Sequence, residues 1–477
     1  MKTLTIVWLT LPLMVGLIAY LLPRPAKRMG LGVAIASIAY GLTLILRQPP
    51  FPLNFLDNFG VTLLADSLSG FFILTNGLVT AAVILYCWGS QRSAFFFAQL
   101  CILHGSVNSA FLCADFMSLY VALEVISITV FLLIAYPRTN RSIWVGLRYL
   151  FVSNTVMLFY LIGAVLVYQA NFSFAFSGLA QAPPEAQALI LLGLLTKGGV
   201  FISGLWLPLT HSEAEVPVSA ILSGVAIKSA IFPLVRCAQM IDSVDPVVRL
   251  FGLGTAFLGI SFALFEKDVK RIFAFSTISQ MGFVLASPAV GGFYALGHGL
   301  AKATLFLTAG SLPSRQLDDL RQKPMATPAW AAIAVGGLSL AGMPLFMGFA
   351  AKTLTLKSLL PWQVIGMNAA AVGSVIVFAR LLFLPHQPQS EKKIAPGFWP
   401  AISLLGVALV AANAFSIETY ALANVGKALA LIALGWIIYF GVIRRMMLLL
   451  PRTLELFEQL IGFMTLLLMG LFWLVLA

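Results

Sequence analysis

Sixteen apolar runs, each long enough to cross a hydrocarbon layer, follow one another through the sequence: 4–22, 29–46, 66–87, 95–112, 116–136, 143–168, 188–209, 217–240, 247–265, 270–288, 291–311, 326–359, 362–384, 397–416, 421–443 and 455–476. A spanning helix needs about 20 mainly apolar residues. Only 10% of the chain is charged and 60% is hydrophobic, whereas a soluble domain is about one quarter charged. The bilayer is therefore the solvent, and every spanning backbone must satisfy its own polar groups as a helix. The expectation is an all-α membrane protein with about 14–16 transmembrane helices. The first run is too long for the apolar core of a signal peptide. Arg24, Lys27 and Arg28 follow it in place of a cleavage site, so it reads as a retained span.

Charge orients the helices. The net charge of +12 does not indicate nucleic acid, because the basic residues punctuate apolar runs and form no polar basic domain. With the N-terminus outside, the inner loops hold Arg24, Lys27, Arg28, Arg92, Arg138, Arg141, Lys267, Lys270, Arg271, Arg315, Arg321, Lys323, Lys392, Lys393, Arg444, Arg445 and Arg452. The outer segments hold only Lys2, Arg47, Arg236, Arg249 and Lys357. This asymmetry follows the positive-inside rule and places both termini outside a cell (inner, plasma) membrane. Cys87, Cys101, Cys113 and Cys237 lack metal-type spacing, so no metal or iron–sulfur site is expected; no other cofactor is expected either.

Seven basic residues remain, and all lie within runs: Arg148, Lys197, Lys228, Lys302, Lys352, Arg380 and Lys427. Arg380 and Lys427 are close enough to run ends to extend to the headgroups. Lys197, Lys228, Lys302 and Lys352 are near mid-run, where each costs about 2.5–3.5 kcal/mol to insert. Glu124 is the one acidic residue near the centre of a run. Two runs carry helix-breaking chemistry, at Leu195–Gly199 and at Gly342–Gly348, and they cross in opposite directions. Paired interrupted helices of opposite direction point to inverted repeats. The expected organisation is N-terminal helices over 1–94, a five-helix repeat over 95–240, its inverted counterpart over 247–385, and C-terminal helices over 386–477.

In water a lysine holds its proton up to about pH 10.4. Removal from water favours the neutral amine, and a neighbouring carboxylate favours the ammonium. A buried lysine beside a movable carboxylate is thus a proton switch. Glu124 with Lys197 is the candidate, and Lys228, Lys302 and Lys352 form an onward relay. His104, His211 and His298 could bridge gaps, since imidazole titrates near neutrality. Static packing pairs are the bland alternative, but four lysines and one acid cannot all pair. For His104 alone, a hydrogen-bonded buried histidine is the favoured reading. Glu213 and Glu215 read as solvated loop charges near an inner proton entrance, and Asp318 and Asp319 as plain loop charges.

Five ordered motifs resemble those of the antiporter-like membrane subunits found in Mrp-type cation/proton antiporters, respiratory complex I and membrane-bound hydrogenases. They are LYVALE ending at Glu124, WLPLTHSEAEVPVSAILSGVAIK from Trp206 to Lys228, DVKRIFAFSTISQ from Asp268 to Gln280, HGLAKATLF from His298 to Phe306, and Gly342-Met-Pro followed by GFAAK ending at Lys352. The resemblance covers about residues 60–385. It implies a core of fourteen helices with two inverted five-helix repeats. It also implies a proton path through Glu124, Lys197, Lys228, His298, Lys302 and Lys352; His104, Arg148, His211 and Tyr294 are auxiliary candidates beside it. Lysine at 352 and the chain length are more similar to the D-type branch of the Mrp antiporter subunits than to complex I. Two departures stand out: Tyr294 occupies a position where the family often has histidine, and Ala214-Glu215 replaces alanine–proline.

The implied role is a proton-translocating subunit without a catalytic site of its own. Its expected partners are other integral membrane subunits and the bilayer, with protons and a monovalent cation exchanged at the level of the complex. Two alternatives stay open, a subunit of a redox-driven quinone-reducing or hydrogenase complex and a stand-alone secondary transporter. Protons rather than sodium ions should travel the row, because one central carboxylate among four lysines offers a hard cation too few oxygen ligands.

Overall fold

The computed structural model describes residues 2–47, 50–55, 60–388, 391–446 and 452–476. Its helices are α1 (Lys2–Leu21), α2 (Ala26–Leu46), α3 (Ser67–Tyr86), α4 (Ala94–Ala110), α5 (Phe116–Ile134), α6 (Asn140–Asn171), α7 (Pro184–Lys197), α8 (Leu207–Glu213), α9 (Val216–Ile221), α10 (Lys228–Met240), α11 (Asp245–Phe265), α12 (Val269–Ala286), α13 (Gly291–Ala309), α14 (Leu317–Gln322), α15 (Thr327–Ala341), α16 (Met347–Lys357), α17 (Val364–Leu382), α18 (Phe398–Ala411), α19 (Leu422–Gly441) and α20 (Phe457–Leu476). Each of the sixteen apolar runs is occupied by one helix or by the pieces of a broken one. Among the described residues, 12 helical stretches are long and apolar enough to cross a membrane, two of them built from consecutive pieces (α7 to α8 and α9 to α10), and α12 with α13, bent by 107°, brings the count to 13. α4 and α15 are apolar but shorter. The chain is a multi-pass membrane protein. The all-helical expectation holds apart from a short antiparallel hairpin, β1 (Phe51–Phe55) with β2 (Val61–Ala65), and a two-residue parallel pair, β3 (Met325–Ala326) with β4 (His386–Gln387).

Local sequence sets where several helices begin. The carboxylates of Asp66, Asp115 and Asp268 accept from the backbone N–H of Ser69 (2.9 Å), Ser118 (2.6 Å) and Arg271 (3.1 Å), capping α3, α5 and α12. Thr139 and Ser142 form a reciprocal capping box on α6. Such caps satisfy N–H groups that a helix start leaves free. Between helices, small residues permit close approach where lipid supplies no hydrophobic drive. A Cβ on Gly259 of α11 would lie 2.3 Å from Ser279 N of α12, and one on Gly282 would lie 2.4 Å from Ala256 N.

The loops rich in arginine and lysine meet at one end of the bundle. Lys27 donates to the carbonyls of Trp88 and Ser90 at 2.7 and 3.0 Å. Ion pairs join Arg92 to Glu215, Arg141 to Glu213, Lys267 to Asp318, and Arg315 to Asp268. The hydrogen bond from Lys267 holds the Asp318 carboxyl below its usual range, as suits a loop charge. At the opposite end Arg236 is paired with Asp66.

Two of the loop basic residues are not solvated. Lys270 is buried and donates to the Ala214 carbonyl at 2.5 Å, and Arg271 is buried between Glu266 and Glu455. Arg380, half-buried at the inner end of α17, is tied to protein as its Nη1 and Nη2 donate to the carbonyls of Ala263 (2.7 Å) and Glu266 (2.6 Å). It thereby closes the end of α11, whose last carbonyls have no helical partner.

Candidate functional site

Both expected helix breaks are present. α7 ends at Lys197, and Gly199 takes a left-handed conformation (φ +65°) before a 3₁₀ turn over Phe201–Trp206. Gly supplies such a φ without strain. The interrupted backbone is satisfied locally: Val200 N donates to Leu195 O at 2.9 Å, Phe201 N to Thr255 Oγ1 at 2.9 Å, and Trp206 Nε1 to Thr196 O at 2.9 Å. The second break follows Gly342 (φ +89°), with α16 resuming at Met347. Met343 N donates to Leu338 O at 2.9 Å, and Asn413 and Tyr420 hydrogen-bond the Leu345 backbone. Irregular backbone at this depth is tolerated only inside protein or beside a cavity. A third irregularity carried no sequence signal. The helix from α9 to α10 contains a π turn over Leu222–Ala226, where Ile227 N bonds Leu222 O at 3.1 Å.

These breaks position the lysines. Lys197 ends α7, and its Nζ lies 3.9 Å from Glu124 Oε1. Its shorter bonds are to hydroxyls, Ser127 Oγ at 2.5 Å and Ser153 Oγ at 3.0 Å, which are themselves 2.9 Å apart. Ser127 lies three residues after Glu124, on the same face of α5, which is the signal that could have found it. Lys197 is enclosed, whereas the Glu124 side chain is 25% exposed. The pair is therefore asymmetric: a sealed amine beside a carboxylate that reaches an opening.

Lys228 follows the π turn and donates to the carbonyls of Gly224 (2.6 Å) and Ser223 (3.0 Å). A π turn shifts its backbone bonding by one residue, so these oxygens can receive the amine in place of N–H groups. α13 passes against this site at Gly299, where a Cβ would lie 2.8 Å from Gly224 O and 3.5 Å from Lys228 Nζ. One residue earlier stands His298, buried, with both ring nitrogens lacking a protein partner among the described residues. One turn later Lys302 donates to Phe273 O at 2.8 Å and faces the Phe273 and Phe378 rings. Cations over aromatic faces gain electrostatic stabilisation. Lys352 on α16 has no hydrogen-bond partner among the described residues, and its Nζ lies 5.1 Å from the Phe283 ring centroid. It lines a cavity of about 90 Å³ with Lys357, Asn424 and Lys427. Lys427 thus faces the same space as Lys352, a juxtaposition that its position in the run did not indicate.

The auxiliary residues separate. Tyr294, one turn before His298, donates to Gln280 Oε1 at 2.6 Å, and Gln280 Nε2 donates to Ser374 Oγ at 3.1 Å. The tyrosine therefore heads a buried chain joining α13, α12 and α17. Its ring stacks on Phe283, the ring beneath Lys352. His211 is buried and stacks on Phe306 with centroids 4.7 Å apart. Arg148 is buried and donates to the Glu455 carbonyl. His104 bonds Ser37 Oγ at 2.8 Å and Thr80 Oγ1 at 3.0 Å. Asn76 and Asn108 continue that network, which makes His104 the hydrogen-bonded buried histidine expected of it.

The arrangement offers a series of enclosed amines held by neutral acceptors and one carboxylate. An ammonium has three donors. Among the described residues, the hydrogen-bonding partners number two for Lys197, two for Lys228, one for Lys302 and none for Lys352. Each amine so retains a free position through which a proton can be exchanged.

Comparison with known proteins agrees with this architecture. Residues 113–377 match the family described as NADH:quinone oxidoreductase/Mrp antiporter, TM. The D component of the Na(+)/H(+) antiporter of Alkalihalophilus pseudofirmus is 26% identical over 374 residues, covering 71% of this chain and 76% of that protein. The NAD(P)H-quinone oxidoreductase chain 4 1 of Synechococcus sp. is 30% identical over 319 residues, with 60% of each chain covered, so this chain spans less than two thirds of that relative. A chain in the structure of the archaeal membrane-bound sulfane sulfur reductase superposes with a TM-score of 0.78 at 18% identity, covering 92% of this chain and 99% of that one. The family match takes in both helix breaks and every lysine of the row, and the chain therefore belongs to the NADH:quinone oxidoreductase/Mrp antiporter family of transmembrane proteins.

Proposed function

We propose that this chain is a proton-translocating subunit of a multisubunit cation/proton antiporter, in an inner membrane with both termini outside. The observation that carries the reading is the position of Lys197, whose amine is shared between one carboxylate at 3.9 Å and two serine hydroxyls. An amine with alternative partners of different charge is a switch. Close to the carboxylate it keeps its proton, and when the carboxylate moves away, only neutral oxygens remain and the proton is released onward. The onward path runs through Lys228, His298 and Lys302 to Lys352, with Tyr294 beside the central part and its ring stacked on Phe283, the ring beneath Lys352. The two broken helices belong to five-helix units over 95–240 and 247–385 in inverted orientation, so each unit brings one interrupted lysine helix to mid-depth. The partners are other integral membrane subunits, and the second cation passes outside the row. The 30% identity to a quinone oxidoreductase chain supports a second reading, in which the same row is driven by a redox complex.

Everted vesicles carrying the assembled complex, followed with a pH-sensitive dye, test the proposal. Glu124→Gln should abolish the cation-driven proton response at equal complex abundance. A response near that of the wild type would refute the switch.

A further inference from the structure

The last helix supplies charged groups that the lysine row does not use. Glu455, just ahead of α20, is buried. Arg271 from the first turn of α12 engages both its carboxylate oxygens, with Nη1 to Oε2 at 3.0 Å, and Arg148 of α6 donates to its carbonyl. Arg271 also donates to Glu266 at 2.6 Å, and Arg452 reaches Glu266 at 3.4 Å. This cluster fastens the start of α20 to α6 and α12, and α20 then packs along α7 and the 3₁₀ turn of the first break.

A groove of about 720 Å³ runs between α5, α6 and α20. Its polar lining is Tyr120, Glu124, Arg148, Asn154, Thr155 and Glu458. Arg148 and Glu458 stand toward the arginine-rich end, and Thr155 is about 10 Å further along α6 at 1.5 Å per residue. Arg148 is only 6% exposed and its Nε has no protein partner among the described residues. Glu124 reaches this groove while Lys197 stays enclosed. A buried guanidinium lining a groove that ends on a mid-membrane carboxylate is costly unless the groove is hydrated.

We propose, building on the reading above, that this groove is the proton inlet to Glu124 and that Glu458, with Arg148 beside it, forms the inlet's mouth. The Glu458 carboxylate takes a proton from hydronium at the inner surface and releases water. The carboxylic acid then passes that proton to water in the groove and returns to carboxylate. The groove water delivers the proton to the Glu124 carboxylate. Arg148, fixed by the Glu455 carbonyl, positions the Glu458 charge and repels inorganic cations. The last helix is on this view part of the transport path, although it lies outside the segment that matches the family.

The test uses everted vesicles of the assembled complex with Glu458→Gln, Glu458→Asp and Glu124→Gln side by side. Glu458→Gln should slow the initial dye response about a hundredfold, the low end of what a positioned acid–base group supplies, and Glu458→Asp should recover most of it. A Thr155→Cys variant should react with a membrane-impermeant thiol reagent in everted vesicles and not in right-side-out ones, against a low background because the native cysteines are buried. Wild-type rates in Glu458→Gln, failure of aspartate to restore a lost rate, or an unreactive Thr155→Cys would each overturn the inlet. If Glu124→Gln is also silent, the proposed function falls as well; if it abolishes exchange, only the inlet falls.

Discussion

Replacing Gly299 with alanine is the sharpest steric test of the row. The new methyl carbon would lie 2.4 Å from Thr75 Cγ2, 2.8 Å from Gly224 O and 3.5 Å from Lys228 Nζ. Gly224 O is the 2.6 Å acceptor of the Lys228 amine and, as backbone in the π turn, cannot swing aside. α13 must retreat from α3 and the turn, or the carbonyl must leave the amine. Overpacking costs about 1–3 kcal/mol, and loss of a hydrogen bond to a charged group about 1.5–3 kcal/mol. Either route costs about 1–3 kcal/mol, roughly one to two decades in rate where it falls on the transport barrier. Allowing for relaxation, Gly299→Ala should lower dye-monitored exchange at least about tenfold at equal complex abundance and should lower the melting temperature of the purified complex. Gly297→Ala on the same helix is the control, because the atoms nearest its methyl belong to the flexible Met347 side chain, at 3.3 Å. Equal exchange rates in the two variants would refute the argument that α13 and the π turn are fitted around Lys228.

Other consequences follow from the same geometry. Ser127→Ala combined with Ser153→Ala removes both hydroxyl partners of Lys197 and should reduce exchange far more than either single change, since one hydroxyl still supports the ammonium when the other is lost; equal effects of the single and double variants in the vesicle assay would argue against a shared site. Arg380→Ala should destabilise the protein by about 1–3 kcal/mol, the cost of leaving buried carbonyls unpaired, and this should appear as a lower unfolding temperature in detergent with the exchange rate per assembled complex retained.

Solvent, helices and charges could all be read from the order of residues alone. Runs of about 20 apolar residues have one stable outcome in hydrocarbon, so the sixteen helical segments were legible without tertiary information. The four buried lysines and Glu124 were legible because their cost at mid-depth demands a reason. The two helix breaks were announced by Gly198-Gly199 and Gly342-Met343-Pro344. What each charge touches was decided only in three dimensions. Arg380, read as extending to lipid headgroups, closes the end of α11, because α17 happens to pass beside Ala263 and Glu266. Lys270 and Arg271, counted as loop charges, are buried by the chain around Ala214 and by Glu455. The π turn beneath Lys228 has no proline or glycine pair to mark it, since it depends on an amine competing for carbonyls at that one place. Ser127 and Ser153 join Lys197 from two other helices, and the Glu124 groove exists only because α20, some 300 residues later in the chain, is fastened beside α6. Hydropathy is a property of a segment, and it survives in the sequence. Hydrogen-bond partnership between segments depends on how helices are placed against one another, and that placement is set by close packing of small residues and by ion pairs between distant loops.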